Sequence, residues 1–190
     1  MKKIKKYLKK HLSKDRYQHT LGVAYTAMAM AMRYNPDTNS HTFIEKARIA
    51  GMLHDCAKCM KNEKRIRICV ENDIPCTEIE LEQPCLLHGK VGAYVAKKKF
   101  KVTDEEILNA ITWHTTGRPG MSLLEKIIFI ADYIEPGRQP ISELNEIRQM
   151  AFVDIDQTMI KILGNTLAYL RKQGEPIDEM TQKTYDSYIG

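Results

Sequence analysis

HTTGRPGMSLLEKIIFIADYIEPGR, residues 114–138, contains a loop, a helix start, an apolar helix and a helix stop, in that order. The segment TTGRPG has the glycine and proline content of a loop. Ser122 followed three residues later by Glu125 is a capping box, the signature of a helix start. The apolar run LLEKIIFIADYI follows, and Pro136-Gly137 ends it. The stretch therefore predicts a buried helix with a loop on each side.

The rest of the chain also predicts helices, and no segment alternates apolar and polar residues over the length of a strand. Caps, prolines and glycines give approximate bounds. The predicted helices cover 13–33, Ser40 to about His54, Asn62 to about Glu71, Pro84 to about Lys99 and Thr103 (capping box with Glu106) to near His114, and two or three more follow a break at Gln139-Pro140, with another break at KQGEP. The sequence predicts an all-α fold, a compact multi-helix bundle forming one domain, residues 1–190.

The net charge of +5 comes from the first helix, predicted at 1–12. Residues 1–10 carry six lysines and no acid, and the remaining chain has 23 basic against 24 acidic residues. A lysine-rich helix can bind RNA or a membrane surface. Helical spacing instead favours an ordinary amphipathic helix that packs through Ile4, Tyr7, Leu8, His11 and Leu12.

Composition also bears on location and partners. No run of 18 apolar residues is present, and no apolar segment with a cleavage site follows the basic start. We therefore expect neither a transmembrane helix nor a signal peptide. Five cysteines, an odd number, make a disulfide framework improbable and favour the reducing cytoplasm.

Asp132 follows five consecutive apolar residues in the predicted helix. A buried carboxylate needs a partner, because an unpaired buried charge is costly. A metal cation is one such partner. A buried arginine or helix-cap hydrogen bonds would serve equally.

Four histidines lie in suggestive places: His19, His54, His88 and His114. A lone histidine on an apolar helix face is more often a core residue than a ligand. His54 is followed directly by Asp55, and adjacent helical residues point about 100° apart, so both reach one ion only near a helix end or in a tight pocket. Imidazole and carboxylate together suit iron, manganese, zinc or nickel.

Basic and hydroxyl-bearing residues near these positions suggest phosphate binding. Lys58 lies about one turn beyond His54, and Arg138 follows Asp132 after the helix stop. The loop Thr115-Thr116-Gly117-Arg118 offers hydroxyls and backbone N–H groups. Each basic residue taken alone is more simply a surface charge.

Cys56 and Cys59 form a C-x-x-C beside His54. A redox pair is expected to follow a strand, and no strand precedes this one. A zinc site needs two more soft ligands, and no second C-x-x-C exists. We interpret both cysteines as small packing residues.

The chain resembles the HD-domain metal-dependent phosphohydrolases, and within them it is similar to the YqeK-like bacterial symmetrical bis(5′-nucleosyl)-tetraphosphatases. The segments that carry the resemblance span residues 16–151: RYQHTLGVA, AGMLHDCAK, LLHGKVGA, WHTTGRPGMSLLEKIIFIADYIEPGR and EIRQMA. The pair HTTG and ADYIEPGR is far more specific than the His-Asp doublet. Lys90 and Trp113 depart from the family pattern without removing a candidate ligand.

The resemblance implies a cytoplasmic hydrolase that cuts diadenosine tetraphosphate and related dinucleoside polyphosphates symmetrically, giving two ADP from diadenosine tetraphosphate, through a metal-activated water. It implies one divalent ion, iron before manganese, zinc or nickel, rather than two. His19, His54, Asp55 and Asp132 would hold it. His88 and His114 would contact phosphate, donate a proton or hold a second ion. Substrate-binding residues would be Lys58, Thr115, Thr116, Gly117 and Arg138, and the loop 171–176 would close on the nucleoside.

Two other functions stay open. One is a different HD-type reaction, such as nucleoside monophosphatase or phosphodiesterase activity. The other is a non-catalytic RNA- or nucleotide-binding module that uses the lysine-rich helix, which would leave Asp132 and the histidines without a role. The expected partner is a small dinucleoside polyphosphate or nucleoside diphosphate rather than a membrane or nucleic acid, and a homodimer stays open.

Overall fold

The computed structural model describes residues 1–35, 41–139 and 141–190. Across these ranges the chain forms helices joined by turns and has no strand, so the all-α prediction is confirmed. The helices are α1 Lys2–His11, α2 Lys14–Tyr34, α3 His41–Leu53, α4 Asn62–Glu71, α5 Glu78–Glu82, α6 His88–Phe100, α7 Glu105–Trp113, α8 Leu123–Ile134, α9 Leu144–Met150, α10 Ile155–Gln173 and α11 Glu179–Ile189.

The apolar helix predicted from the opening stretch is α8, at the centre of the bundle. Its start is the predicted capping box: Ser122 accepts from the Glu125 N–H, and the Glu125 carboxylate accepts from the Ser122 N–H. Helix α8 packs against α2, α3, α7 and α10. Residues 127–131 are buried as a continuous run, which explains why this segment is apolar on all sides.

Helices α2 and α3 pack closely because Gly51 lies between them. A Cβ at Gly51 would lie 2.8 Å from the Ala24 Cα, a backbone atom that cannot move aside. This close contact fixes the end of α3, and His54 follows directly after it.

Other predictions about elements had mixed outcomes. The bounds of α4 agree with the prediction, and α5 was not predicted. The capping box at Thr103 is wrong: Asp104 is the N-cap, because its carboxylate reaches the N–H groups of both Glu106 and Ile107. The predicted cap at Ser40 and the break at Pro140 lie outside the described residues.

The first helix has the predicted amphipathic pattern. Ile4, Leu8 and Leu12 are buried and the six lysines are exposed. His11 is exposed and stacks on Tyr7, with ring centroids 4.0 Å apart, so its predicted burial is wrong. In the described ranges, no helix combines the length and apolar character that crossing a bilayer requires.

Candidate metal centre

His54 and Asp55 lie in the turn that directly follows α3. The His54 N–H still donates to Ala50 O at 2.8 Å, and the chain then leaves the helix. This position meets the geometric condition stated for the doublet, because a helix end lets adjacent side chains point into one pocket. Both side chains are buried.

The other candidate ligands reach the same pocket from four helices. His19 projects from the second turn of α2 and Asp132 from the last turn of α8. His88 is the first residue of α6, and His114 is the C-cap of α7. The bundle therefore brings together residues that are far apart in the sequence.

A first group of ligand atoms surrounds Asp55 Oδ2 and Asp132 Oδ1. His19 Nε2 lies 2.9 Å from Asp132 Oδ1 and 3.9 Å from Asp55 Oδ2. His54 Nε2 lies 3.5 Å from Asp55 Oδ2 and 3.8 Å from Asp132 Oδ1. His19, His54 and Asp55 form one group able to hold a metal, and His54 and Asp132 form another together with His114.

A second group lies on the other oxygen of Asp55. His88 Nε2 is 3.3 Å and His114 Nε2 is 3.6 Å from Asp55 Oδ1, and the two nitrogens are 3.0 Å apart. Lys58 Nζ lies 3.2 Å from His88 Nε2, and the Thr115 hydroxyl lies at the same distance. Asp55 therefore connects the two groups.

All four histidines have a hydrogen-bond partner for Nδ1. His54, His88 and His114 contact the carbonyls of Gly51, Cys85 and Ile111 at 2.7, 2.6 and 2.7 Å, and His19 contacts the Glu135 carboxylate at 3.1 Å. These acceptors assign the proton to Nδ1, which leaves the Nε2 lone pair pointing into the centre.

The Nε2 atoms of His19 and His54 are buried and make no hydrogen bond. With the proton on Nδ1, His19 Nε2 faces Asp132 Oδ1 at 2.9 Å through its lone pair, so this approach is not a hydrogen bond. Buried polar atoms are almost always paired, so an unpaired nitrogen needs an explanation. A cation between these nitrogens and the two carboxylates would supply the missing partner. The residues present therefore fit a divalent metal.

The ionisation of the two carboxylates suits metal binding. Burial alone would raise the pKa of Asp55, but the neighbouring His54 and His114 hold it well below its usual range. The pKa of Asp132 is likewise lowered, because the His19 contact outweighs burial. Burial alone would lower the pKa of His54, but the neighbouring Asp55 and Asp132 raise it. Burial, His114 and Lys58 lower the pKa of His88. Ionised carboxylates and a neutral imidazole are the forms that bind metal.

A cavity of about 760 Å³ opens beside the metal centre. Among the predicted phosphate-binding residues, Lys58, Thr115 and Arg138 line it together with Asp55, Asp132 and His114. Thr116 and Gly117 are not among the residues that line it. The structure thus places three of the five predicted substrate-binding residues at the cavity.

Packing explains why Gly117 lies elsewhere. Its N–H donates to Trp113 O at 2.8 Å, so this group is not available to a phosphate. Its φ of +66° and the close contact with Thr184 of α11 require a residue without a side chain. The neighbouring Arg118 pairs with Glu125 at 2.6 Å. This part of the loop stabilises α8 and α11.

Several residues at the site were not predicted. Arg16 donates to Asp55 Oδ2 at 2.9 Å, and Glu135 is the buried partner of His19. Helix α10 forms one wall of the cavity, through residues that include Asn165 and Tyr169. The loop 171–176, expected to close on the nucleoside, does not line it.

The cysteines next to the centre have separate environments. Cys56 is buried, and its burial raises the pKa of the thiol to about 12. Cys59 is exposed. In the described part of the chain, none of the groups able to hold a metal includes a cysteine. The C-x-x-C therefore has the features of neither a reactive thiol pair nor a zinc site.

Residues 16–137, which contain all the candidate ligands, match the HD domain family. Together with the all-α fold and the His/Asp cluster, this match shows that the chain belongs to the HD-domain hydrolases, which are metal-dependent. More narrowly, it belongs to the YqeK-like symmetrical bis(5′-nucleosyl)-tetraphosphatase family, as three curated relatives show.

These relatives are each named bis(5′-nucleosyl)-tetraphosphatase, symmetrical. The protein from Bacillus subtilis (strain 168) is 40% identical over 179 residues, covering 94% of this chain and 92% of its own. The Halalkalibacterium halodurans protein is 40% identical and the Staphylococcus aureus protein 38% identical, over 93% and 84% of their lengths. A crystal structure of a predicted HD superfamily hydrolase involved in NAD metabolism, from Clostridium acetobutylicum, superposes with a TM-score of 0.92 at 43% identity, covering 99% of this chain and 96% of that one.

Proposed function

We propose that this chain hydrolyses dinucleoside tetraphosphates symmetrically, so that diadenosine tetraphosphate gives two ADP. The observation that carries the proposal is a metal-binding cluster at the edge of a cavity of about 760 Å³ that Lys58, Arg16 and Arg138 also line. A polyphosphate needs cations along its length, and this arrangement supplies them around one point. The curated relatives carry the same activity in their names.

The ligand set of the proposed ion is His19, His54, Asp55 and Asp132. Mixed imidazole and carboxylate ligands support iron, with manganese, zinc or nickel as alternatives. When bound, a divalent ion lowers the pKa of a water ligand and offsets charge on phosphate oxygens. Lys58 donates to His88 Nε2, so a cation already lies where a second ion would bind. This contact favours one ion over two.

The protein groups then position the substrate. Lys58 and Thr115 would contact oxygens of the central phosphates, with Arg16 and Arg138 along the chain of phosphates. A water attacks one of the two central phosphorus atoms, the bond from that atom to the bridging oxygen breaks, and ADP leaves with that oxygen. Positioning and charge stabilisation supply most of the rate in phosphoryl transfer. His114 and His88 present Nε2 toward the leaving oxygen, and in the proposed mechanism one of them delivers a proton there after taking it up at Nε2.

One nucleoside half is proposed to lie in the main cavity against α10. Phe129, Tyr133 and Tyr169 line this cavity and offer aromatic surface to a base. Asn165 supplies an amide that can hydrogen-bond to it.

The test combines metal analysis with product identification. Protein purified without chelator is expected to contain about one iron per chain and to convert diadenosine tetraphosphate to ADP alone. Asp55→Ala should lose both metal and turnover, because Asp55 contributes to both groups of ligand atoms. Asp186→Ala, which removes an exposed carboxylate on α11, is the matched control.

Two results would contradict the proposal. Retained iron and full turnover in Asp55→Ala would show that Asp55 is not part of the metal centre. Release of inorganic phosphate from mononucleotides, without cleavage of the tetraphosphate, would assign the chain to another HD-type reaction.

We also propose a single domain and a cytoplasmic location. All five cysteines are free, which fits a reducing compartment. Sedimentation of the purified chain tests whether it forms a homodimer.

A further inference from the structure

A second, smaller cavity lies on another side of the metal centre. Its volume is about 430 Å³, and its lining includes Asp15 near the start of α2 and Gly137 and Gln139 after the end of α8. His19 and its partner Glu135 also line it. The cavity thus adjoins His19, one of the proposed ion-binding ligands, and none of its described lining residues comes from α10.

Two arginines border both cavities. Arg16 and Arg138 line the main cavity and the smaller one, and so does Ile141. The Arg16 guanidinium is held at this boundary by its contact with Asp55, at 2.9 Å. The Arg138 guanidinium lies 5.9 Å from the centre of the Tyr133 ring, so it faces the main cavity as well. A chain of phosphates that passes from one cavity to the other would run past both guanidinium groups.

We propose that the smaller cavity binds the second nucleoside of a dinucleoside polyphosphate. The proposal rests on the function proposed above and specifies how the whole substrate binds. Symmetrical cleavage requires the central phosphates to lie at the metal centre, so the two identical halves must extend away from it in different directions. The main cavity receives one half, and the smaller cavity is a second space that adjoins the centre.

The lining of the smaller cavity suits a nucleoside. The exposed Asp15 carboxylate can accept hydrogen bonds from the ribose hydroxyls, as acidic residues do in dinucleotide sites. The Gln139 amide can both donate to and accept from a base edge. Gly137 has no side chain, so a flat base can approach the backbone there.

The two cavities differ in their aromatic residues, so they are expected to bind a nucleoside with different strength. Three aromatic residues line the main cavity, whereas the lining of the smaller one contains none. The main cavity therefore binds its nucleoside more tightly, by stacking, and the smaller cavity contributes a weaker contact through polar groups. Through this weaker contact, the enzyme would distinguish a substrate with two nucleosides from one with a single nucleoside.

The experiment compares diadenosine tetraphosphate with adenosine 5′-tetraphosphate, which has the same four phosphates but one nucleoside. The first compound is measured as substrate. The second is measured as a substrate, which gives a KM. Where it is not cleaved, it is measured as a competitive inhibitor, which gives a Ki. The variants are Asp15→Ala combined with Gln139→Ala in the smaller cavity and, as a matched control, Asn165→Ala in the main cavity.

Wild-type protein is expected to prefer the two-nucleoside compound severalfold. The Asp15/Gln139 variant should lose this preference, because its KM for diadenosine tetraphosphate rises. Its KM or Ki for adenosine tetraphosphate and its metal content should stay unchanged. Asn165→Ala should weaken the binding of both compounds to a similar extent.

The inference would be overturned if the wild type gave equal KM or Ki values for the two compounds. It would also be overturned if the Asp15/Gln139 variant kept the preference for diadenosine tetraphosphate. Failure of the proposed function has a different signature, because wild-type protein would then not cleave diadenosine tetraphosphate at all.

Discussion

Asp55 belongs to two of the three groups of side chains able to hold a metal, and its two oxygens face different histidines. Around it, the four histidines have their Nδ1 atoms fixed by three carbonyls and one carboxylate. The carboxylate is Glu135, which is buried and also accepts from the Gly137 N–H at 2.6 Å. Glu135 therefore orients His19 and ties the segment after α8 to the metal centre.

Glu135→Gln tests this orienting role. A neutral amide makes a weaker hydrogen bond to His19, so we expect metal affinity to fall by about 10–100-fold while the helical fold is retained. Metal titration and far-ultraviolet circular dichroism measure the two effects. Glu143→Gln, at an exposed carboxylate that pairs with Lys161, should leave metal affinity unchanged. Equal affinities in both variants would show that Glu135 does not act through His19.

Lys58→Met tests the phosphate-binding role separately from metal binding. Removing one positioned donor to the transferring group should lower kcat by roughly 10²–10³-fold. Metal content should stay as in the wild type, because Lys58 is not one of the proposed ligands. Lys61→Met, three residues further along and exposed, is the control. A variant that loses metal together with activity would place Lys58 in a structural role instead.

Candidate ligands that carry their own chemical signal could be proposed from the sequence. A carboxylate inside an apolar run and a His-Asp doublet can be recognised in the sequence alone. The structure brings His19, His54, Asp55 and Asp132 into one pocket. Arg16 and Glu135 were missed, because a charged residue beside a helix end has many ordinary roles. Their importance depends on which side chain they contact across the bundle.

At the scale of elements, caps and close contacts determine where helices begin and how they cross. Asp104 both caps α7 and pairs with Lys46 of α3 at 2.9 Å, so it connects two helices. The sequence predicted a cap one residue earlier, since Thr103 and Glu106 have the spacing of a capping box. Pattern alone cannot decide between adjacent cap candidates, because the choice depends on Lys46.

Replacement of the N-cap provides a stability test. Asp104→Ala should lower the free energy of unfolding by about 1 kcal/mol, and Thr103→Ala should change it by less than about 0.5 kcal/mol. Although partial burial opposes it, the Lys46 contact lowers the pKa of Asp104. A lowered folded-state pKa gives stability that is present above the unfolded pKa and is lost as the pH falls through the folded value. Denaturant unfolding at neutral and acidic pH measures both effects, and equal losses in the two variants would contradict the assigned cap.

Gly51→Ala tests the crossing of α2 and α3. The new Cβ would overlap the Ala24 backbone, so we expect a loss of about 1–3 kcal/mol despite the better helix propensity of alanine. Gly164→Ala is the control within α10, because its Cβ would lie an ordinary 3.5 Å from Tyr185. It should stabilise the protein by up to about 1 kcal/mol. Thermal unfolding distinguishes the two signs, and stabilisation by both substitutions would contradict the close crossing.

At the scale of the whole molecule, the bundle serves to bring distant ligands together. The all-α class followed directly from helical periodicity and the absence of strand patterns. The cavity wall from α10 could not be predicted, because nothing in the residues 162–169 differs from an ordinary amphipathic helix. Only the packing of α10 on α8 turns one of its faces toward the metal centre.

Metal binding should therefore stabilise the entire fold. An ion that binds only the folded state contributes about 2.7 kcal/mol at one hundred times its Kd, which raises the Tm of a chain of this size by roughly 5–10 °C. Calorimetry of metal-free protein with and without added divalent metal measures the shift. Asp55→Ala should show almost none, and an equal shift in that variant would mean that the ion binds elsewhere.

The distribution of the ligands along the chain has a consequence for biosynthesis. His19 is made early, the His-Asp doublet follows, and Asp132 is the last of the four proposed ligands to be translated. No nascent chain that ends before Asp132 can offer a complete coordination shell, so the ion can be inserted only after α8 has left the ribosome and docked onto α2. For the proposed ligand set, metal insertion is therefore a late step, coupled to the closing of the bundle rather than to the folding of its first helices.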